Sequence, residues 1–297
     1  MIEVKNVTKR FDGFAALSDL TMTVPSGAVY GLVGPNGSGK STILRHITGV
    51  YRQDAGEVLV DGLSVFENPE VKARIAYIPD DVFYFPQAGV RDMMRYYRGV
   101  YPRFDAARYE KLKEVFRLDE RQPIRRMSKG MQKQAAFWLA MCQMADIMVL
   151  DEPVDGLDPV MRRQIWGLLM ADAAERGLTV LVSSHNLREL EDVCDHVGIL
   201  DHGHLLLERS LTELQENISK IQLALPDDRP LPEGLNLVHE TVSGRLRTLI
   251  LRGDPDETLR KLQECEPLFL DAVPLSLEEI FIYELGGADY AVKDILL

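Results

Sequence analysis

Gly34-Pro35-Asn36-Gly37-Ser38-Gly39-Lys40-Ser41-Thr42 follows the short apolar run 28–33 (AVYGLV) without a break. The run reads as a buried strand, and a helix is expected from about Lys40. The spacing G-x-x-x-x-G-K-[ST] across such a junction has a physical reason. Glycines let successive backbone N–H groups curl around phosphate oxygens, and the helix N-terminus adds partial positive charge. On this reading Gly34, Pro35, Asn36, Gly37, Ser38, Gly39, Lys40, Ser41 and Thr42 all contribute to a nucleotide site. Lys40 is aimed at the β- and γ-phosphates of ATP, and the Ser41 hydroxyl is placed to ligate Mg²⁺. A plain glycine-rich turn is the alternative, and the complete match in a strand–helix context argues against it.

Outward from this loop the chain alternates strand and helix signals. Ile2, Val4, Met22 and Val24 are apolar with polar neighbours, the strand pattern, and 57–60 followed by Asp61-Gly62 reads as a strand and tight turn. Helical periods dominate 90–145, with candidate helices at 93–101, 109–118 and 131–144. Apolar strands return at 147–150 and 179–183. Such alternation predicts an α/β domain on a mainly parallel sheet. Past Leu211 the pattern changes: Pro226, Pro230, Pro232 and Gly234 interrupt a loop-rich stretch, followed by a strand at 247–251 and helices at 255–265 and 275–285. The expectation is a large domain over 1–212 and a small α/β domain over 213–297, with no internal repeat.

The run 147–150 ends on two carboxylates, Asp151 and Glu152. A carboxylate at the end of a strand beside a phosphate loop can hold Mg²⁺ through water, which is the role expected of Asp151. Glu152 is placed to polarise the attacking water as general base. Without the phosphate loop, two acids after a strand would read as a solvated loop start. Together the two motifs define a P-loop NTPase.

The remaining motifs resemble those of ABC (ATP-binding cassette) ATPases, in order and spacing, over residues 1 to about 210. Asp151-Glu152-Pro153-Val154-Asp155-Gly156-Leu157-Asp158-Pro159 is similar to the family's Walker B and D-loop, with Asp158 as the D-loop residue. Val182-Ser183-Ser184-His185 resembles its switch histidine segment, which makes His185 a catalytic residue contacting the γ-phosphate. Phe11 stands where the family stacks an aromatic on adenine. Ser128, Lys129, Gly130 and Met131 occupy the place of the family's signature, which binds the ATP of a partner subunit. Asp80 stands where the family carries a Gln at the metal, and joins Ser41 and Asp151 as an expected metal residue. Pro274-Leu275-Ser276-Leu277-Glu278-Glu279-Ile280-Phe281 is similar to the ending of ATPases paired with ABC-2-type exporters, and several motifs are similar to the YtrB-type exporter ATPases of Gram-positive bacteria.

The resemblance implies the following. The fold is an ABC ATPase core with an antiparallel β subdomain and a helical subdomain. Two chains, as a homo- or heterodimer, bury two ATPs between each one's phosphate loop and the other's signature, and hydrolysis reopens the dimer. That motion is relayed to separately encoded transmembrane permease subunits, for export. Phe83, Tyr84, Phe85 and Pro86 are either the relay surface or local core. Lys129 and Met131 depart from the signature's Gly and Gln, but the general base and the switch histidine are present, so the site reads as an active ATPase.

Composition limits the rivals. Lys+Arg of 34 against Asp+Glu of 46 gives a net charge of −12 over 297 residues, which argues against nucleic acid or anionic lipid as the main partner. From Leu211 onward 17 acidic residues face 8 basic ones. Cys142, Cys194 and Cys265 are far apart and form no CxxC, as expected of reduced thiols in a cytosol. No apolar run approaches the about 18–20 residues that span a bilayer, and the opening MIEVKNVTKR has no signal core. The chain is therefore expected at the cytoplasmic face of the cell membrane, beneath other chains that span it. A soluble ABC ATPase acting on ribosomes or DNA is disfavoured by the single cassette, the lack of a basic patch and the acidic tail. A small-molecule kinase is disfavoured by the signature segment and His185.

Overall fold

Ile2, Val4, Met22 and Val24 are all buried. They lie on β1 (Ile2–Phe11) and β2 (Phe14–Val24), which pair antiparallel. β1 also pairs with β4 (Ala55–Val60) and β4 with the short β5 (Leu63–Ser64), giving a four-stranded sheet in the order β2-β1-β4-β5. These coordinates are a computed structural model that describes residues 1–226, 231–232 and 234–285.

A second sheet has the order β10-β9-β3-β8-β7-β6. Its strands are β3 (Val29–Val33), β6 (Ile75–Ile78), β7 (Ile147–Asp151), β8 (Thr179–Ser184), β9 (His196–Asp201) and β10 (His204–Ser210). The pairs β3–β8, β3–β9, β6–β7 and β7–β8 are parallel. Every residue of β3, β7 and β8 is buried, which is why these runs are mainly apolar rather than alternating, their polar residues lying at the strand ends. One core joins the two sheets and α1 (Lys40–Ile47) through Ile2, Leu20, Val58, Leu32, Ile43 and Val149. At about 1.5–3 kcal/mol for each such side chain, this core fixes the loop between β3 and α1. Because the strands are parallel, β3, β6, β7 and β8 end at one edge of the sheet. The loops that leave that edge carry Gly34–Gly39, Asp80, Glu152 and His185.

The helical part comprises α2 (Pro69–Lys72), α3 (Val90–Val100), α4 (Ala106–Phe116), α5 (Lys129–Met141) and α6 (Pro159–Arg176). α3, α4 and α5 begin earlier than the stretches read from apolar period, because capping chemistry sets the start. Asp105 accepts from Arg108 N–H and Ser128 from Met131 N–H. α4 ends where Arg117 turns left-handed, at φ 51°. Trp138 of α5 stacks on Tyr109 of α4 at 4.6 Å and donates to its carbonyl, which locks the two helices together.

Residues 1–186 and 193–208 form one compact unit, and residues 187–192 with those from Arg209 onward form another. The second contains α7 (Leu211–Asn217), β11 (Ile218–Ala224), β12 (Leu237–Ser243), β13 (Leu246–Arg252), α8 (Pro255–Gln263), β14 (Phe269–Val273) and α9 (Leu277–Leu285). Its sheet, in the order β12-β13-β11-β14, is antiparallel and covers a core of Ile221, Leu223, Leu249, Leu251 and Leu262. Three of its strands were not expected from sequence. β12 is exposed along its whole length and β14 along most of it, so neither carries the apolar alternation that marks a strand. Pro230 and the residues from 286 onward lie outside the described residues. Among the described residues no helix is long and apolar enough to cross a membrane.

Candidate nucleotide site

Gly39 has φ 110° and immediately precedes α1, and a side chain there would come 2.8 Å from the carbonyl oxygen of Ala16. Only glycine fits this turn. The turn delivers Lys40 into the site as the first residue of the helix. Lys40 is 6% exposed, and its ammonium donates to the carbonyls of Gly34 at 2.6 Å and Pro35 at 3.2 Å. It stands 3.7 Å from Glu152 Oε1. Burial pushes Lys40 below the ordinary lysine value, and Glu152 and Asp151 oppose that shift. Beside it opens a cleft of about 400 Å³ lined by Phe11, Asn36, Lys40, Ser41, Asp80 and Glu152 among others. A larger cleft of about 700 Å³ lies beside α4 and α6, around Phe116, Arg117 and Gln164, and contains no part of the phosphate loop.

Asp151 ends β7 with 1% exposure. Its Oδ1 accepts from Ser41 Oγ at 3.1 Å and from Ser183 Oγ at 2.7 Å. A carboxylate and a hydroxyl this close, both hard oxygen donors, suit Mg²⁺. Glu152 follows with φ 44°, a left-handed conformation uncommon for a residue with a side chain. Its N–H donates to the carbonyl and hydroxyl oxygens of Ser183, both at 3.2 Å, and its carbonyl accepts from Lys133 Nζ. Glu152 Oε2 lies 2.9 Å from His185 Nδ1, and Asp155 brings a ligand atom within 4.8 Å of both. Burial raises the Glu152 carboxyl above its usual range, while His185 and Lys40 pull it back. A carboxylate so held, with a raised pKa, is chemically suited to take a proton from water.

The other expected residues divide into those at the cleft and those away from it. Phe11, at the end of β1, pairs in register with Phe14 of β2, and both exposed rings line the cleft; Phe14 was not expected. Tyr51 meets Phe11 edge-on at 5.6 Å. Asp80 lines the cleft too, but its Oδ1 accepts from Lys133 Nζ at 3.2 Å, a partner the sequence reading did not anticipate. Ser128, Lys129, Gly130 and Met131 are not among the residues lining this cleft. Ser128 caps α5 and the Lys129 side chain is exposed. A methyl group on Gly130 would come 2.5 Å from the Gly156 carbonyl oxygen, so the signature turn packs directly on the loop after Glu152. Asp158, further along that loop, accepts from the N–H groups of Val160 and Met161 and caps α6. Of the aromatic run, Tyr84 is buried, whereas Phe83 is 74% and Phe85 50% exposed.

The family described as ABC transporter matches residues 17–155. The ABC transporter ATP-binding protein YtrB of Bacillus subtilis (strain 168) is 32% identical over 288 residues, covering 97% of this chain and 99% of that protein. The chain belongs to the ABC transporter ATP-binding proteins. The Nod factor export ATP-binding protein I of Burkholderia lata is 29% identical, over 96% of this chain and 97% of its own. Among solved structures, a dimeric post-hydrolysis state of the ATP-binding cassette MJ0796, bound to ADP and Pi, superposes with a TM-score of 0.64. It covers 71% of this chain and 99% of that one at 22% identity, a likeness of fold. As an ABC ATPase, this chain is the ATP-binding and ATP-hydrolysing motor subunit of a transporter, and its P-loop core with antiparallel and helical subdomains is the fold expected of one.

Proposed function

We propose that the chain binds Mg-ATP in the cleft at the β3–α1 loop and hydrolyses it with Glu152 as general base, as one of two ATPase subunits beneath separate membrane-spanning subunits. One observation carries this reading: Lys40, Ser41 and Glu152 line a single cleft, with Asp151 bonded to Ser41 and His185 to Glu152. Phe11 and Phe14 offer ring surface to adenine at its mouth. Gly34–Thr42 and the Lys40 ammonium bind the phosphates, and Lys40 leaves its own carbonyl partners to do so. Ser41 and Asp151 would hold Mg²⁺, which supplies positive charge against the phosphate oxygens. Glu152 accepts a proton from the attacking water, and His185 holds the carboxylate in line and reaches the terminal phosphate.

The signature residues are separate from their own chain's cleft, which supports the second half of the reading. Ser128 Oγ and the N–H groups opening α5 form a site for anions at a helix N-terminus, and we assign it to the ATP of a partner subunit, with Asp158 at the same interface. The dimeric state described for MJ0796 supports that arrangement. The exposed rings of Phe83 and Phe85 offer an apolar surface for a membrane-spanning subunit, at the cytoplasmic face of the membrane. Export is the direction suggested by the Nod factor relative. Residues 1–212 are the nucleotide-binding domain in this reading and 213–297 an acidic accessory domain.

Glu152→Gln tests it. The variant should keep ATP binding, nearly stop hydrolysis and accumulate as an ATP-bound dimer on gel filtration. Turnover within a few-fold of the wild type would remove Glu152 from the role of base.

A further inference from the structure

Lys133 lies in the second turn of α5, and its side chain is 3% exposed. A buried ammonium is costly unless its charge and its donors are met. Here they are met by two loops that leave different strands. One is the loop after β6, through Asp80 Oδ1 at 3.2 Å, and the other follows β7, through the carbonyl of Glu152. The helix that carries Lys133 is capped by Ser128 and begins at Lys129, and its Gly130 packs on the backbone of Gly156. A single ammonium therefore joins the wall of the nucleotide cleft, the base and the signature helix.

The contact with Glu152 falls on a backbone that needs support. At φ 44° this residue is in a region that persists where its surroundings over-determine it. Ser183 holds the N–H of Glu152, and Lys133 holds its carbonyl. If that carbonyl were released, the residue could relax to an ordinary conformation. Its carboxylate would then swing away from Lys40, at 3.7 Å, and His185, at 2.9 Å.

We propose that Lys133 is a positioning residue of the ATPase: it fixes the left-handed turn at Glu152 that aims the base, and through Asp80 and α5 it ties that aim to the cleft wall and the signature turn. The proposal rests on the assignment of Glu152 as base.

The test is steady-state ATP hydrolysis and nucleotide binding by the full chain with Mg-ATP, comparing Lys133→Met, Lys133→Gln and Glu152→Gln. Methionine keeps the length of the side chain but neither the charge nor the donors. It should lower kcat tenfold or more, with KM and ATP affinity within about threefold and the thermal unfolding transition still cooperative. Glutamine, which retains a donor for the Glu152 carbonyl, should lower kcat less than methionine does. If the methionine variant does not fold, the glutamine variant carries the test, with a threefold or greater loss of kcat at unchanged KM expected. A wild-type kcat in either folded variant overturns the proposal, as does a loss of kcat matched by an equal loss of ATP affinity. Glu152→Gln separates the two readings. Full turnover in that variant sinks the assignment of the base, whereas an inactive Glu152→Gln beside a fully active Lys133→Met sinks the positioning role alone.

Discussion

His185 Nδ1 sits 2.9 Å from Glu152 Oε2, although the two residues leave different strands of the parallel sheet. The contact holds the carboxylate that faces Lys40, so its value should be greatest when the water is being deprotonated. His185→Ala is accordingly expected to cut kcat by about tenfold or more, equivalent to about 1.4 kcal/mol of transition-state stabilisation, with a smaller change in KM. Equal kcat with weakened ATP affinity would make His185 a binding residue only.

Lys40→Ala should abolish ATP binding. The ammonium is buried in the loop by the carbonyls of Gly34 and Pro35, and no neighbouring cation of the loop replaces the charge it brings to the phosphates. A fluorescence titration with a nucleotide analogue measures this directly, and near-wild-type affinity would rule out the phosphate-loop assignment.

The pH profile follows from burial. Glu152 must be deprotonated to act as base, and its carboxyl is raised above the ordinary glutamate value, chiefly by desolvation. As pH falls, the carboxylate therefore takes up its proton earlier than an exposed glutamate would, and the acid limb of kcat should lie above the usual range of about 4.3. His185 lowers that pKa, so His185→Ala should move the limb to higher pH still. A limb that moves to lower pH in the variant would contradict this account.

Lys129 is exposed at the first position of α5, where the family carries glycine. If it reaches the phosphate of a partner's ATP, a charged hydrogen bond of about 1.5–3 kcal/mol is at stake. Lys129→Ala placed in the Glu152→Gln background should then weaken ATP-driven dimerisation tenfold or more, with monomer affinity unchanged. An undiminished dimer would leave Ser128 and the helix N-terminus to hold the phosphate without it.

A chain ended at Glu208, where the first compact unit closes, should still bind ATP, since every residue lining the nucleotide cleft precedes that point. A folded truncation that fails to bind would assign part of the site to the acidic domain.

The residues readable from sequence are those whose chemistry is tied to short local spacing. Gly34–Thr42 and Asp151-Glu152 carry their geometry with them, because a strand end and a helix start define where each side chain goes. Lys133 and Ser183 do not. Lys133 lies 53 residues from Asp80 and 19 from Glu152, and in the chain it looks like any polar position on an amphipathic helix. Ser183 was visible as part of a strand, but its bonds to Asp151 and Glu152 depend on the parallel register of β7 and β8. The aromatic run 83–86 left core and surface equally open; in the structure the rings alternate, Phe83 and Phe85 outward and Tyr84 inward. Of the strands missed in the C-terminal unit, β12 and β14 are mostly exposed, where burial leaves no trace in the residue pattern, whereas β11 is an inner strand with buried Ile218, Ile221 and Leu223.

The close approach of Gly130 to Gly156 has a mechanical reading. Backbone rests on backbone there, with no side chain between to compress or rotate, so a push on one loop is delivered to the other without backlash. In the two-subunit arrangement proposed above, the first loop would face the partner's ATP and the second follows the proposed base of its own chain. Both positions already hold the smallest residue available. A side chain at Gly130 would be driven into the Gly156 carbonyl and force the two loops apart, whereas one at Gly156, with no contact closer than 3.9 Å, would instead strain that loop's left-handed turn at φ 78°.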